Sequence, residues 1–294
     1  MFRISQYMRE LAQAQSTGVY PVVKDRKARG PVVIWNLIRR CNLTCKHCYA
    51  LSADHDYAGE LLLPEVFTVM DDLKAFGVPA LILSGGEPLL RPDIFEISAR
   101  AREMGFYTGL STNGTLIDAP MARRIADAGF DYVGISLDGL KATHDKFRRL
   151  EGAFDRSLAA IGHLDEVGVK VGLRYTMTAM NGHDLPALLD LMQEVGAHKF
   201  YFSHLNYAGR GNIHRDKDAR HQATRAAMDM LFDRAWAAAQ AGSMDDYVSG
   251  NNDADGPYLL QWVRQHLPQW EEPLRQRLVA WAPSPRSGTT SATR

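Results

Sequence analysis

From residue 32 onward, short β-branched runs alternate with helical patterns at a pitch of roughly 25 to 30 residues, which constrains the chain to repeated βα units around a parallel sheet. The runs are 32–37, 80–84, 106–111, 132–137, 169–177 and 199–205. Six such strands are fewer than a closed barrel needs, so the predicted fold is α/β: a partial (βα)6 TIM-type barrel with an N-terminal helix and a C-terminal helical extension. Start signals support the intervening helices: Pro64 before Glu65, Pro92 before Asp93, and Asp118 and Asp184 as N-caps. Residues 3–15 read as a helix ahead of the barrel. Residues 217–241 read as an alanine-rich helix with Met228, Leu231, Phe232, Ala235 and Trp236 on one face. Residues 243–256 read as an Asp/Asn/Gly loop before a helix over 258–267. The expected division is an N-terminal extension (1–31), a core barrel (32–212), a helical extension (213–282) and a disordered tail (283–294).

All three cysteines fall within one short stretch, Cys41-x3-Cys45-x2-Cys48. An odd, clustered set is no disulfide framework, and a reducing compartment would keep it available for metal. Three thiolates on an iron-sulfur cluster leave one iron open to a small molecule. A structural zinc site is the alternative, with His47 or His55 as fourth ligand, although such sites commonly show two ligand pairs. The 34 basic residues balance the 34 acidic ones, which argues against nucleic acid as a partner. No run approaches the ~18 apolar residues of a membrane span, so a soluble, cytoplasmic protein with no membrane partner is expected.

In a βα barrel the C-terminal strand ends carry the active site. Strand two ends in Ser84-Gly85-Gly86-Glu87-Pro88, where two glycines let a ligand approach the backbone and Glu87 can accept from an ammonium group. Strand three ends in Ser111-Thr112-Asn113-Gly114 and strand four in Ser136-Leu137-Asp138-Gly139, groups suited to ribose hydroxyls or to ordinary glycine turns.

Taken with the cysteines, these motifs resemble the radical S-adenosylmethionine (SAM) superfamily over about residues 32 to 210. The resemblance implies a barrel of the radical SAM kind. It implies that Cys41, Cys45 and Cys48 hold one [4Fe-4S] cluster and that SAM chelates its open iron. It carries Gly85, Gly86 and Glu87 to the SAM amino group and Ser136 to the ribose, with Asn113 nearby and Asp138 organising the turn. Arg174 is assigned to the SAM carboxylate, with a structural arginine as the alternative. His47 and Tyr49 sit where the superfamily packs an adenine, or simply close the loop.

Within the superfamily, the string Cys-Asn-Leu-Thr-Cys-Lys-His-Cys-Tyr and the segments 206–211 and 246–255 resemble the branch that modifies tetrapyrroles in heme d1 biosynthesis. That implies an enzyme removing propionate side chains of didecarboxysiroheme, with a flavodoxin or ferredoxin as electron donor. The anionic macrocycle needs cationic partners, for which His204, Arg210 and His214 are the candidates; Arg210, between two glycines, suggests a defined turn near a ligand. Members of this branch continue into a cysteine-rich extension holding an auxiliary cluster, but no cysteine follows Cys48, so no auxiliary cluster is expected here. Residues 283–294 read as filler, as a truncated or frame-shifted product would. The competing readings are a heme-synthesis decarboxylase, a peptide-modifying maturase, or a metal-binding module without turnover.

Overall fold

The computed structural model describes residues 1–21 and 30–281; the tail expectation for 283–294 lies outside them. Seven parallel strands pair in chain order: β1 (Val32–Asn36), β2 (Ala80–Ser84), β3 (Tyr107–Thr112), β4 (Tyr132–Ser136), β5 (Val171–Thr176), β6 (Lys199–Ser203) and β7 (Asp246–Gly250). Sequential order with right-handed crossovers puts every connecting helix on one side, so the sheet curls around its other face. The α/β partial barrel is therefore as expected, with one strand more.

The helices are α1 (Ile4–Thr17), α2 (Leu63–Ala75), α3 (Ile94–Glu103), α4 (Ala119–Asp127), α5 (Lys141–Arg148), α6 (Ala153–Glu166), α7 (Leu185–Glu194), α8 (Gly209–Ile213), α9 (His221–Gln240), α10 (Asp255–His266) and α11 (Glu271–Trp281). Strand alternation sorts the two faces. Leu81, Leu83, Leu110, Val133, Ile135, Leu173, Phe200 and Phe202 are fully buried and form the helix-facing core. Each contributes about 1.5–3 kcal/mol by leaving water. The positions out of phase with them, Ser84, Ser111, Ser136, Arg174 and Ser203, open onto the concave face near the C-terminal strand ends.

β7 corrects the reading of residues 243–256 as a loop. Its register runs Lys199↔Asp246 to Ser203↔Gly250, and its free edge is covered by α1 and the preceding chain: Tyr247 N donates to Ser5 Oγ at 2.7 Å, and Phe2 bridges Ser249 antiparallel.

Capping follows the sequence in part. Asp118 Oδ1 accepts from Met121 N at 2.8 Å at the start of α4. Replacing Asp118 by Ala is expected to cost about 1 kcal/mol in thermal unfolding and to leave metal binding unchanged. Asp184 stands at the N-cap of α7 but makes no side-chain cap bond; its Oδ2 accepts from Leu140 N at 2.8 Å, tying α7 to the turn after β4.

Candidate active site

A cavity of about 380 Å³ opens at the C-terminal strand ends, lined by all three cysteines together with His47, Tyr49, Gly85, Gly86, Asn113, Ser136, Arg174 and His204. It is built from the β1 side outward. The chain leaving β1 turns into the cysteine loop, which is pressed against the turn after β2: Gly86 N donates to Ile38 O at 2.6 Å and Glu87 N to Arg40 O at 2.9 Å. A Cβ on Gly85, at φ 156°, would lie 2.3 Å from Ile38 O, and one on Gly86 would lie 2.2 Å from Arg40 O. The glycines thus admit the cysteine loop itself as well as facing the cavity.

Glu87 does not line the cavity. It is fully buried, and its carboxylate accepts from Thr112 Oγ1 at 2.7 Å, Asn113 N at 2.8 Å and Leu89 N at 3.2 Å. It joins the ends of β2 and β3. Burial pushes its pKa up against the pull of those donors. Asn113 bridges onward, donating from Nδ2 to Asn42 Oδ1 at 2.9 Å while its Oδ1 accepts from Thr115 Oγ1 at 2.7 Å.

Asp138, in the turn after β4, is wholly buried and does not line the cavity. Its carboxylate pairs with Arg148, lies 3.6 Å from His47 Nε2 and accepts from Thr176 N at 2.8 Å; its own N–H donates to His144 Nδ1 at 3.0 Å. Burial works against the charge, yet the Arg148 guanidinium holds Asp138 below the usual carboxylate range. His47 stacks on Phe147, with ring centroids 4.7 Å apart, and burial pushes its imidazole down to about 4. Tyr49 stands at the exposed rim, where its hydroxyl donates to Asn36 Oδ1 at 2.9 Å.

Arg174 reaches the cavity from β5 with its guanidinium 4.4 Å from the Tyr201 ring centroid. Among the described residues it forms no ion pair, and Arg148, the other arginine lining the cavity, is paired with Asp138.

The three residues assigned to the macrocycle separate. His204 lines the cavity, backed by Asp255, whose carboxylate lies 3.0 Å from its Nε2. Arg210 turns to the cysteine loop, donating to Cys45 O at 2.7 Å and Ser52 O at 2.9 Å. A Cβ on the preceding Gly209, at φ +53°, would lie 2.5 Å from Tyr49 O. The turn is defined, and the cysteine loop holds the Arg210 guanidinium. His214 lines neither this cavity nor the adjoining one. Replacing Arg210 by Ala removes two charge-assisted bonds and is expected to lower stability by about 2–3 kcal/mol, with reduced iron retention on gel filtration.

Two features fit an iron-sulfur body on the cysteines, whose thiols burial raises in the metal-free chain. Arg148 Nη1 donates to Cys45 Sγ at 3.6 Å and Leu43 N to Cys41 Sγ at 3.4 Å, as second-sphere donors would. His47 Nδ1, Ser52 Oγ and Arg148 Nε are enclosed near the loop without protein partners. For the zinc alternative, His55 is exposed and His47 Nε2 faces Asp138 at 3.6 Å.

Comparison with known proteins agrees with this geometry. Residues 35–195 match the radical SAM superfamily. The chain belongs to this superfamily of enzymes. A pre-heme d1 synthase of Dinoroseobacter shibae is 49% identical over 286 residues, covering 96% of this chain and 69% of its own length. An Fe-coproporphyrin III synthase of Methanosarcina barkeri is 43% identical over 246 residues, covering 84% of this chain and 61% of its own length. An AdoMet-dependent heme synthase of the same organism is 37% identical over 182 residues, and this chain covers 52% of it. The chain thus spans from about half to 69% of the length of these relatives. Among solved structures, Streptococcus suis SuiB bound to S-adenosylmethionine superposes with a TM-score of 0.62 at 15% identity, over 86% of this chain and 56% of SuiB, a likeness of fold. No helix among the described residues is long and apolar enough to cross a membrane.

Arg148, Asn42, His144 and Asp255 do not stand out in the sequence. A signal for Arg148 is present in His144-Asp-Lys-Phe-Arg148, where two polar residues four apart share a helix face directly after the Asp138 turn.

Proposed function

We propose that this radical SAM protein acts on an iron tetrapyrrole in heme d1 formation, removing propionate side chains of didecarboxysiroheme. The 49% identity to a pre-heme d1 synthase over almost the whole chain carries this reading. Similarity to two further heme-related synthases supports the wider class of substrate.

In this reading Cys41, Cys45 and Cys48 hold a [4Fe-4S] cluster, which when bound supplies the electron that cleaves SAM to a 5′-deoxyadenosyl radical. The remaining work belongs to the chain. Gly85 and Gly86 keep the cysteine loop against β2, and Ser136 faces the cavity where a ribose would lie. Arg174 is the guanidinium assigned to the SAM carboxylate, since no protein carboxylate engages it among the described residues. His204, backed by Asp255, is assigned to the macrocycle side, where a second chamber of about 510 Å³ meets the first at His204, Asn206 and Asn251. The electron donor is assigned to the flavodoxin or ferredoxin class.

The test is incubation of the anaerobically reconstituted protein with SAM, dithionite and didecarboxysiroheme, followed by mass spectrometry. Sequential loss of two propionate groups supports the assignment. Conversion of Fe-coproporphyrin III in place of didecarboxysiroheme would move the protein to heme synthesis.

A further inference from the structure

The three cysteine sulfurs stand in different electrostatic surroundings. Cys41 Sγ receives neutral donors, Leu43 N at 3.4 Å and Asn113 Nδ2 at 4.0 Å. Cys48 Sγ has no donor among the described residues. Cys45 Sγ alone receives a cationic one, Arg148 Nη1 at 3.6 Å.

That guanidinium is fixed from behind. The Arg148 side chain is 9% exposed, its Nη2 pairs with the fully buried Asp138, and Asp138 is held in turn by Thr176 N at 2.8 Å. Its position is therefore dictated by the ends of β4 and β5, and solvent screens it little. Its Nε is enclosed without a partner, a cost the fold accepts in keeping the charge at this spot.

We infer that Arg148 is a positioning residue that raises the reduction potential of the iron-sulfur cluster through its N–H···S bond and fixed positive charge at Cys45. The inference rests on the reading that the three cysteines hold that cluster. Reduction adds negative charge to the cluster and its thiolates, so a donor and a cation at a ligand sulfur stabilise the reduced form over the oxidised one. Asp138 opposes this charge through Arg148 Nη2, whereas Nη1 donates directly to Cys45 Sγ.

The experiment is a redox titration followed by electron paramagnetic resonance on the reconstituted full chain. It compares wild type, Arg148→Lys and the double variant Arg148→Met/Asp138→Asn, which leaves no buried carboxylate without its cation. The expected result is a double variant with wild-type iron and sulfide content and at least a tenfold lower reduced-to-oxidised ratio at fixed poise, equivalent to about 59 mV for one electron. Arg148→Lys, which keeps the charge but loses the planar fork, should fall between. A double variant with full cluster content and a ratio within twofold of wild type would overturn the inference. If the double variant assembles no cluster, Arg148→Lys decides: a ratio at least threefold below wild type supports the inference, and an unchanged one overturns it. A wild-type chain that binds no iron overturns the cluster reading first, an outcome recognisable before any variant is compared.

Discussion

Replacing Gly86 by Ala is expected to lower the melting temperature by roughly 6–12 °C and to strip most iron from the reconstituted protein. The added Cβ would lie 2.2 Å from Arg40 O and 2.5 Å from Arg39 O, both backbone atoms that no rotamer change can move. Relief requires separating the β2 turn from the cysteine loop, which breaks the bonds from Gly86 N to Ile38 O and from Glu87 N to Arg40 O. Overpacking plus the loss of buried backbone bonds amounts to about 3 kcal/mol. Gly162, inside α6, is the control, because a methyl group added there would meet nothing within 4 Å. Gly162→Ala should raise stability by about 0.5–1 kcal/mol. Equal effects at the two sites in thermal unfolding would remove the steric explanation.

Asp138→Ala should produce a loss of comparable size for an electrostatic reason. Asp138 is the buried carboxylate facing Arg148 and also accepts from Thr176 N, while its neighbours His47 and His144 are held neutral by burial at about 4. Removing the carboxylate strands a guanidinium in the interior, a change that costs about 3–5 kcal/mol. Removing both members, as in Arg148→Met/Asp138→Ala, should cost less than Asp138→Ala alone, so the two terms are non-additive. Chemical denaturation of the single variants and the double variant measures this directly, and an additive result would mean that the pair is not coupled.

The sheet and its helices were legible because local pattern decides them: β-branched runs end in glycine turns, and Pro64, Pro92 and Asp118 mark helix starts. β7 was not. Asp246-Tyr-Val-Ser-Gly250 offers two apolar residues among turn formers, and its place depends on Ser5 and Phe2, more than 240 residues away along the chain. Residue type was equally readable at Glu87 and Arg210, but direction was not. A buried carboxylate and a cavity-facing one have the same local sequence, and only the packing of the cysteine loop shows that Arg210 serves Cys45 and Ser52. Arg148 and Asp138 make the same point, since they are ten residues apart and join through a helix that had to be placed before their pairing could be seen.

In the proposed function, the cavity at the strand ends is a cluster and SAM site built around Cys41, Cys45 and Cys48. Anaerobic reconstitution with iron and sulfide, followed by dithionite and SAM, tests it most directly, with 5′-deoxyadenosine quantified for wild type and for Cys45→Ser. About four irons per wild-type chain and 5′-deoxyadenosine formation are expected, with both lost in Cys45→Ser. A wild-type chain that binds iron yet forms no 5′-deoxyadenosine, or a Cys45→Ser variant that forms it as wild type does, would contradict the account.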